Sequence, residues 1–173
     1  LPIIDNKKMS IEPSEKFLFT DNKYKIHACC HGLHPLIEGL LQARESFDLK
    51  LEDIASFELR TNLRWLSVCD IKRPRTGLEI KFSYNWLAGM TLRGDPTNDD
   101  RLYTDDLAND LELVAFSKLI TVIGDKNISD LQAEGSLELK NGSSLEVSFD
   151  LAKPIKIDVL EAKLSDKAEA MIG

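Results

Sequence analysis

Apolar positions along the chain fall into several blocks of distinct period. Leu36, Ile37, Leu40 and Leu41 follow Pro35 at helical spacing and predict a helix over roughly 35–46, with proline suited to its first turn. From Glu52 to Arg60 the period changes to two, Ala55, Phe57 and Leu59 alternating with polar neighbours, as in a half-buried strand. Pro74 and Gly77 punctuate a basic loop carrying Lys72, Arg73 and Arg75. Phe82, Trp86, Leu87 and Met90 then fit a helix that Gly94 and Pro96 stop. Thr104 before Asp105 and Asp106 is a helix start, a capping hydroxyl with negative charge at the positive dipole end. Leu107, Leu111 and Val114 would line that helix's inner face.

A short strand is expected over Lys118–Ile123. Two alternating runs, Leu137/Leu139 and Leu145/Val147/Phe149, flank Asn141-Gly142, a strong hairpin signal. Pro154 breaks the second run, and an amphipathic helix with Leu160, Leu164 and Met171 closes the sequence. The pattern predicts an α+β domain, a mixed sheet with a late antiparallel hairpin and helices packed mainly on one face. Residues 1–22, polar and interrupted by Pro2 and Pro13, read as a lead-in or linker, so one domain is expected over 23–173.

Composition narrows the function. With 43% hydrophobic residues in 173, the chain can enclose a real core. A net charge of -7 argues against nucleic-acid binding, which needs a basic face, but leaves room for an anionic substrate at a locally positive site. The three cysteines include the neighbours Cys29 and Cys30, which bridge each other only with backbone strain, so a reducing compartment is the simpler reading. No apolar run approaches a bilayer span and no basic-then-apolar leader is visible, which points to the cytoplasm and away from a membrane.

All three histidines, two of the three cysteines and Lys25 crowd into residues 25–34. Three readings of this stretch compete. His27, Cys29, Cys30, His31 and His34 are all zinc ligand types, although structural zinc usually joins two separated ligand pairs. Cys30 and His34, four apart, could meet on a helix face as nucleophile and base, although no third group marks itself as their orienter. The favoured reading is a polar lip at a loop-to-helix junction that holds a carboxylate, with Lys25 as a point charge and His34 able to move protons. Against all three stands plain packing and capping by His27 and His31 with Lys25 solvated.

The run Tyr24-Lys25-x-His27-Ala28-x-Cys30-x-x-x-His34-Pro35-x-Ile37-Glu38 resembles the segment that opens the second domain of the MmgE/PrpD family. Leu51-Glu52-Asp53-Ile54 with its following strand is similar to the family's next element, and Pro74-x-Thr76-Gly77-x-Glu79-x-Lys81-Phe82-Ser83 resembles its most recognisable motif. The resemblance runs in order over roughly residues 24–167. It implies the smaller, carboxy-terminal α+β domain of a cofactor-independent, metal-free enzyme, commonly a homodimer, whose active site lies in a cleft against an amino-terminal helical domain. Such enzymes work on small di- and tricarboxylates by moving a proton next to a carboxylate; they include 2-methylcitrate dehydratase, cis-aconitate decarboxylase and iminodisuccinate epimerase.

By position, the resemblance assigns Lys25 to substrate holding or proton handling and His34 to a catalytic or helix-positioning part. Cys30 lies where some members place a histidine and, with Lys81, is a candidate substrate contact. Phe82 and Ser83 suit packing and capping of a helix start. The helical first domain has no counterpart in these residues, so the expectation is a lyase of the dehydratase type that is incomplete alone. The alternatives are an epimerase of the same family and a stand-alone domain that binds a carboxylate or a partner chain.

Overall fold

The computed structural model describes residues 23–172. The lead-in proposed for 1–22 lies outside the described residues. Strand β1 (Ile54–Asn62) is the hub of a four-stranded mixed sheet of order β2-β1-β3-β4, with β2 spanning Ile120–Asp125, β3 Gln132–Leu139 and β4 Ser144–Asp150. β1 pairs in parallel with β2 and antiparallel with β3, and β3 pairs antiparallel with β4. A parallel neighbour requires a long crossover. The helices between β1 and β2 supply it: α2 (Leu63–Cys69), α3 (Gly77–Ile80), α4 (Tyr84–Arg93), α5 (Asp105–Ala108) and α6 (Leu111–Phe116). Helix α1 (His34–Phe47) precedes the sheet and α7 (Ile157–Ile172) follows it.

The period-two reading of β1 has a direct physical outcome. Phe57, Leu59 and Thr61 are buried while Glu58 and Arg60 on the opposite face are exposed. The register sets Phe57 beside Leu137, Leu59 beside Gly135 and Thr61 beside Ala133, so the buried face continues onto β3. This one-sided burial is the expected α+β architecture. The β3–β4 hairpin turns at Asn141-Gly142, where Gly142 has φ 86° and the Asn141 side chain accepts the Ser143 N–H at 2.9 Å. That left-handed conformation costs glycine little, which is why the dipeptide is so informative.

Helix α1 packs across β3 and β4 and against α4. Of the predicted stripe, Leu36, Ile37 and Leu40 are buried and Leu41 is half-buried, with Ala43 completing the inner face; each large buried side chain is worth about 1.5–3 kcal/mol. Helix α4 is interior, with every residue from Tyr84 to Leu92 buried. Ser83 caps it by accepting the Trp86 N–H at 3.3 Å, the role that its place before an apolar run suggests.

Several elements differ from the sequence reading, among them α3, a short helix in the stretch read as a loop. Asn62 accepts the Arg64 N–H and starts α2, a helix for which Leu63–Cys69 gives no clear periodic signal. The helix expected after Thr104 is broken in two, because the Asp110 carboxylate takes the N–H groups of Glu112 and Leu113 and restarts the chain as α6. The restart turns Leu111 outward, 85% exposed, and buries Leu113 and Phe116 in its place. Helix α7 is present, yet its stripe is shallow: Leu160 and Leu164 are half-buried and Met171 is exposed.

Candidate functional site

Residues 25–34 form a folded lip between the ends of several elements. Ala28 N–H donates to Thr97 O at 2.9 Å and Cys30 N–H to Lys81 O at 3.0 Å, so the loop after α4 and the motif before it clamp the segment. A 3-10 turn over His31–Leu33 then leads into α1, with Pro35 in the first helical turn. Gly32 is fixed by close approach: a Cβ there would stand 2.4 Å from a ring carbon of Trp65 on α2. Tyr84 Oη donates to Gly32 O at 3.2 Å and lies 2.9 Å from Thr61 Oγ1, tying the turn to α4 and β1.

Beneath the lip lies a polar cluster. His27 Nε2 is 2.9 Å from Glu38 Oε1, and His27 Nδ1 is 2.8 Å from Thr97 Oγ1. Burial holds the His27 pKa below its ordinary value despite the adjoining carboxylate. Burial would raise that of Glu38, but hydrogen bonds from His27 and Lys163 outweigh it and hold the carboxyl low. The consistent state is a neutral imidazole donating from Nε2 to an ionised Glu38 and accepting the Thr97 hydroxyl at Nδ1. Lys163 of α7 closes the cluster, its Nζ 2.7 and 2.5 Å from the two Glu38 oxygens.

His34 is fully buried. Its ring sits edge-on to His27, centroids 5.0 Å apart, and tilted at 4.9 Å from His31. Neither ring nitrogen has a hydrogen-bond partner, and burial with the neighbouring imidazoles drives its pKa down to about 2. It is therefore neutral and enclosed below the surface on which Lys25 is exposed.

Cys30 is half-buried and differs in chemistry from its neighbours. The neighbouring Cys69 thiol holds its pKa below the ordinary thiol value, helped by the backbone N–H groups of Gly32 and His31 and by the Lys25 charge, against the cost of burial. Cys69 is fully buried at the end of α2, and its pKa is raised by the neighbouring Cys30 thiol and by burial. Cys29 is buried too, and burial pushes its thiol up. The positive charges of Lys25, Lys167 and Lys81 oppose that rise at Cys29, and Lys25 also acts on Cys30. Lys81 pairs with Asp100 and sits 5.0 Å from the centre of the Tyr103 ring. Lys167 of α7 donates to the carbonyls of Lys25 and His27.

The structure thus brings Lys25, Cys30 and Lys81 to one neighbourhood, and puts His34 directly under it. The His34 ring nitrogens have no hydrogen-bond partner, so the Cys30–His34 pair considered from spacing is not formed. Among the described residues no three His, Cys, Asp or Glu side chains stand together so as to hold a metal ion. Sequence reasoning missed Cys69, Thr97, Lys163 and Lys167, all distant along the chain. Only the two lysines left a signal, a four-residue spacing on one face of the last helix.

Comparison with known proteins follows the same stretch. The family model described as MmgE/PrpD C-terminal domain matches residues 27–173. No curated protein matches the chain. The match begins within the histidine–cysteine lip and runs through α7, and the chain belongs to the MmgE/PrpD family through its C-terminal domain.

Proposed function

We propose that this domain forms one wall of a cleft that binds a small di- or tricarboxylate, in a lyase of the 2-methylcitrate dehydratase type. The observation that carries this reading is the exposed Lys25 ammonium near the half-buried Cys30 thiol, whose pKa is held below its ordinary value. Lys25 holds a substrate carboxylate as a point charge on a flexible stem. The Cys30 thiolate takes the proton from the carbon next to that carboxylate, and the C–H electron pair becomes the new C=C as the leaving group departs. Lys81 offers a second carboxylate contact once the substrate displaces Asp100, and His34 supports the lip from below. An amino-terminal helical domain supplies the opposing wall and the exclusion of water that makes such proton transfer effective, and a homodimer is the expected assembly. The unbridged cysteines suit the reducing cytoplasm.

A second reading, epimerase chemistry of the same family, draws on the same thiol. A thiol whose pKa is brought down from its ordinary value towards neutrality takes and returns a proton more readily, as inversion of a centre demands. Under either reading this chain alone binds the carboxylate without turning it over.

Calorimetric titration of the chain with tricarballylate, a non-reacting tricarboxylate, tests the common core. Binding weakened roughly tenfold by Lys25→Ala is expected, the size of one lost charge-assisted contact. Equal affinity for both proteins would remove Lys25 from the site.

A further inference from the structure

Helix α2 brings the third cysteine of the chain to the lip. Trp65 and Cys69 are one helical turn apart on α2, hence on one face. The Trp65 ring covers Gly32, and α2 packs against the 3-10 turn that contains it. That face turns the Cys69 thiol towards Cys30, two residues before Gly32, and the backbone holds both cysteines to one segment: Cys30 N–H donates to Lys81 O, while Asp70, next to Cys69, bridges to Ser83 and Ile71 N–H donates to Phe82 O. Of the three cysteines Cys30 alone is more than marginally open to solvent, while Cys69 and Cys29 are buried. Cys29 points its thiol at the Cys30 carbonyl, at 3.6 Å.

We propose that Cys30 and Cys69 form a reversible disulfide in response to a peroxide, fastening the lip to the end of α2. The Cys30 thiolate attacks a peroxide oxygen: an S–O bond forms, the O–O bond breaks, and hydroxide leaves. The sulfur is oxidised to a sulfenic acid and the peroxide is reduced. The Cys69 sulfur then attacks Cys30 as its thiol proton departs; the S–S bond forms, the S–O bond breaks, and that proton leaves with the hydroxide as water. A thiol reductant reverses the step. A partly exposed thiol with a buried second cysteine turned towards it is the arrangement that makes oxidation site-selective. The modification stands independently of the proposed reaction.

The test oxidises the native chain with hydrogen peroxide, alkylates the remaining thiols and maps the peptides by mass spectrometry. The expected product has lost two hydrogens and joins the Cys29–Cys30 peptide to the Cys69 peptide. The Cys29→Ala variant, which leaves only Cys30 available on the first peptide, should give the same link, and dithiothreitol should reverse it. In Cys69→Ala, checked for an unchanged circular-dichroism spectrum, Cys30 should stop at a sulfenic acid that dimedone traps; Cys69→Ser serves where the alanine variant does not fold. Loss of the link in folded Cys29→Ala, a link only between separate chains, or three intact thiols after treatment would each overturn the proposal.

Discussion

Replacing Lys163 by methionine should lower the folding stability of this domain by about 3 kcal/mol, because it strands an ionised carboxylate in the interior. Glu38 is 3% exposed and its two oxygens lean on the single ammonium of Lys163. His27 offers that carboxylate one further hydrogen bond and, being neutral, no balancing charge. The effect should be larger than for an ordinary surface pair, which contributes about 0–1 kcal/mol. It should also reach beyond the pair. Helix α7 has no buried residue, so Lys163 and Lys167 carry much of its attachment. Urea denaturation of Lys163→Met gives the loss directly. The double variant Lys163→Met with Glu38→Leu removes both charges and should recover much of it. A loss no larger than that of a surface pair would show that Glu38 does not depend on Lys163.

Acid should destabilise the domain well above the usual carboxylate range. Histidine ordinarily titrates near 6.5, whereas His34 is held down to about 2 when folded. Below pH 6.5 the unfolded chain takes up a proton at His34 that the folded chain refuses, so stability falls as pH falls from 6.5 towards 2 and is complete above 6.5. Each pH unit within that window costs about 1.4 kcal/mol, so about 2 kcal/mol is lost between pH 6.5 and 5 from this residue alone. His27 and His31 are also held low by burial and act in the same direction. Glu38, held below its ordinary 4.5, adds a second loss as pH falls through its folded value. Melting temperature against pH should therefore decline from near neutrality. His34→Phe, which fills the space without a titrating ring or unpaired nitrogens, should flatten the stretch between pH 6.5 and 5. An unchanged slope in that variant would mean that His34 is protonated inside the fold.

These two effects rest on features that the sequence reveals unevenly. Where one face of an element is buried by its own periodicity, the residues announce it: Phe57 and Leu59 on β1, Leu36, Ile37 and Leu40 on α1, and the Asn141-Gly142 turn all stand as the pattern implies. Thr104–Val114 reads as a single helix because an Asp inside a helical pattern looks like an exposed residue; that Asp110 caps a new helix is visible only once its oxygen meets Glu112 and Leu113 N–H. The site shows the same division. The crowding of Lys25, His27, Cys30 and His34 is local and legible. The charge on Glu38 and the ionisation of Cys30 depend on Lys163 and Cys69, which arrive from α7 and α2 through tertiary packing. No local spacing encodes those meetings, and none shows that the His34 ring, read as catalytic or helix-positioning, lies fully enclosed.

The most direct test of the account is chemical-shift mapping of tricarballylate on the isotopically labelled chain. The amide signals that move first and furthest should belong to residues 24–31 and to the neighbourhoods of Lys81 and Lys167, with Lys25→Ala suppressing them. Shifts confined to another surface, such as the cavity lined by Arg44, Asn98 and Asp166, would contradict it and place carboxylate binding away from the lip.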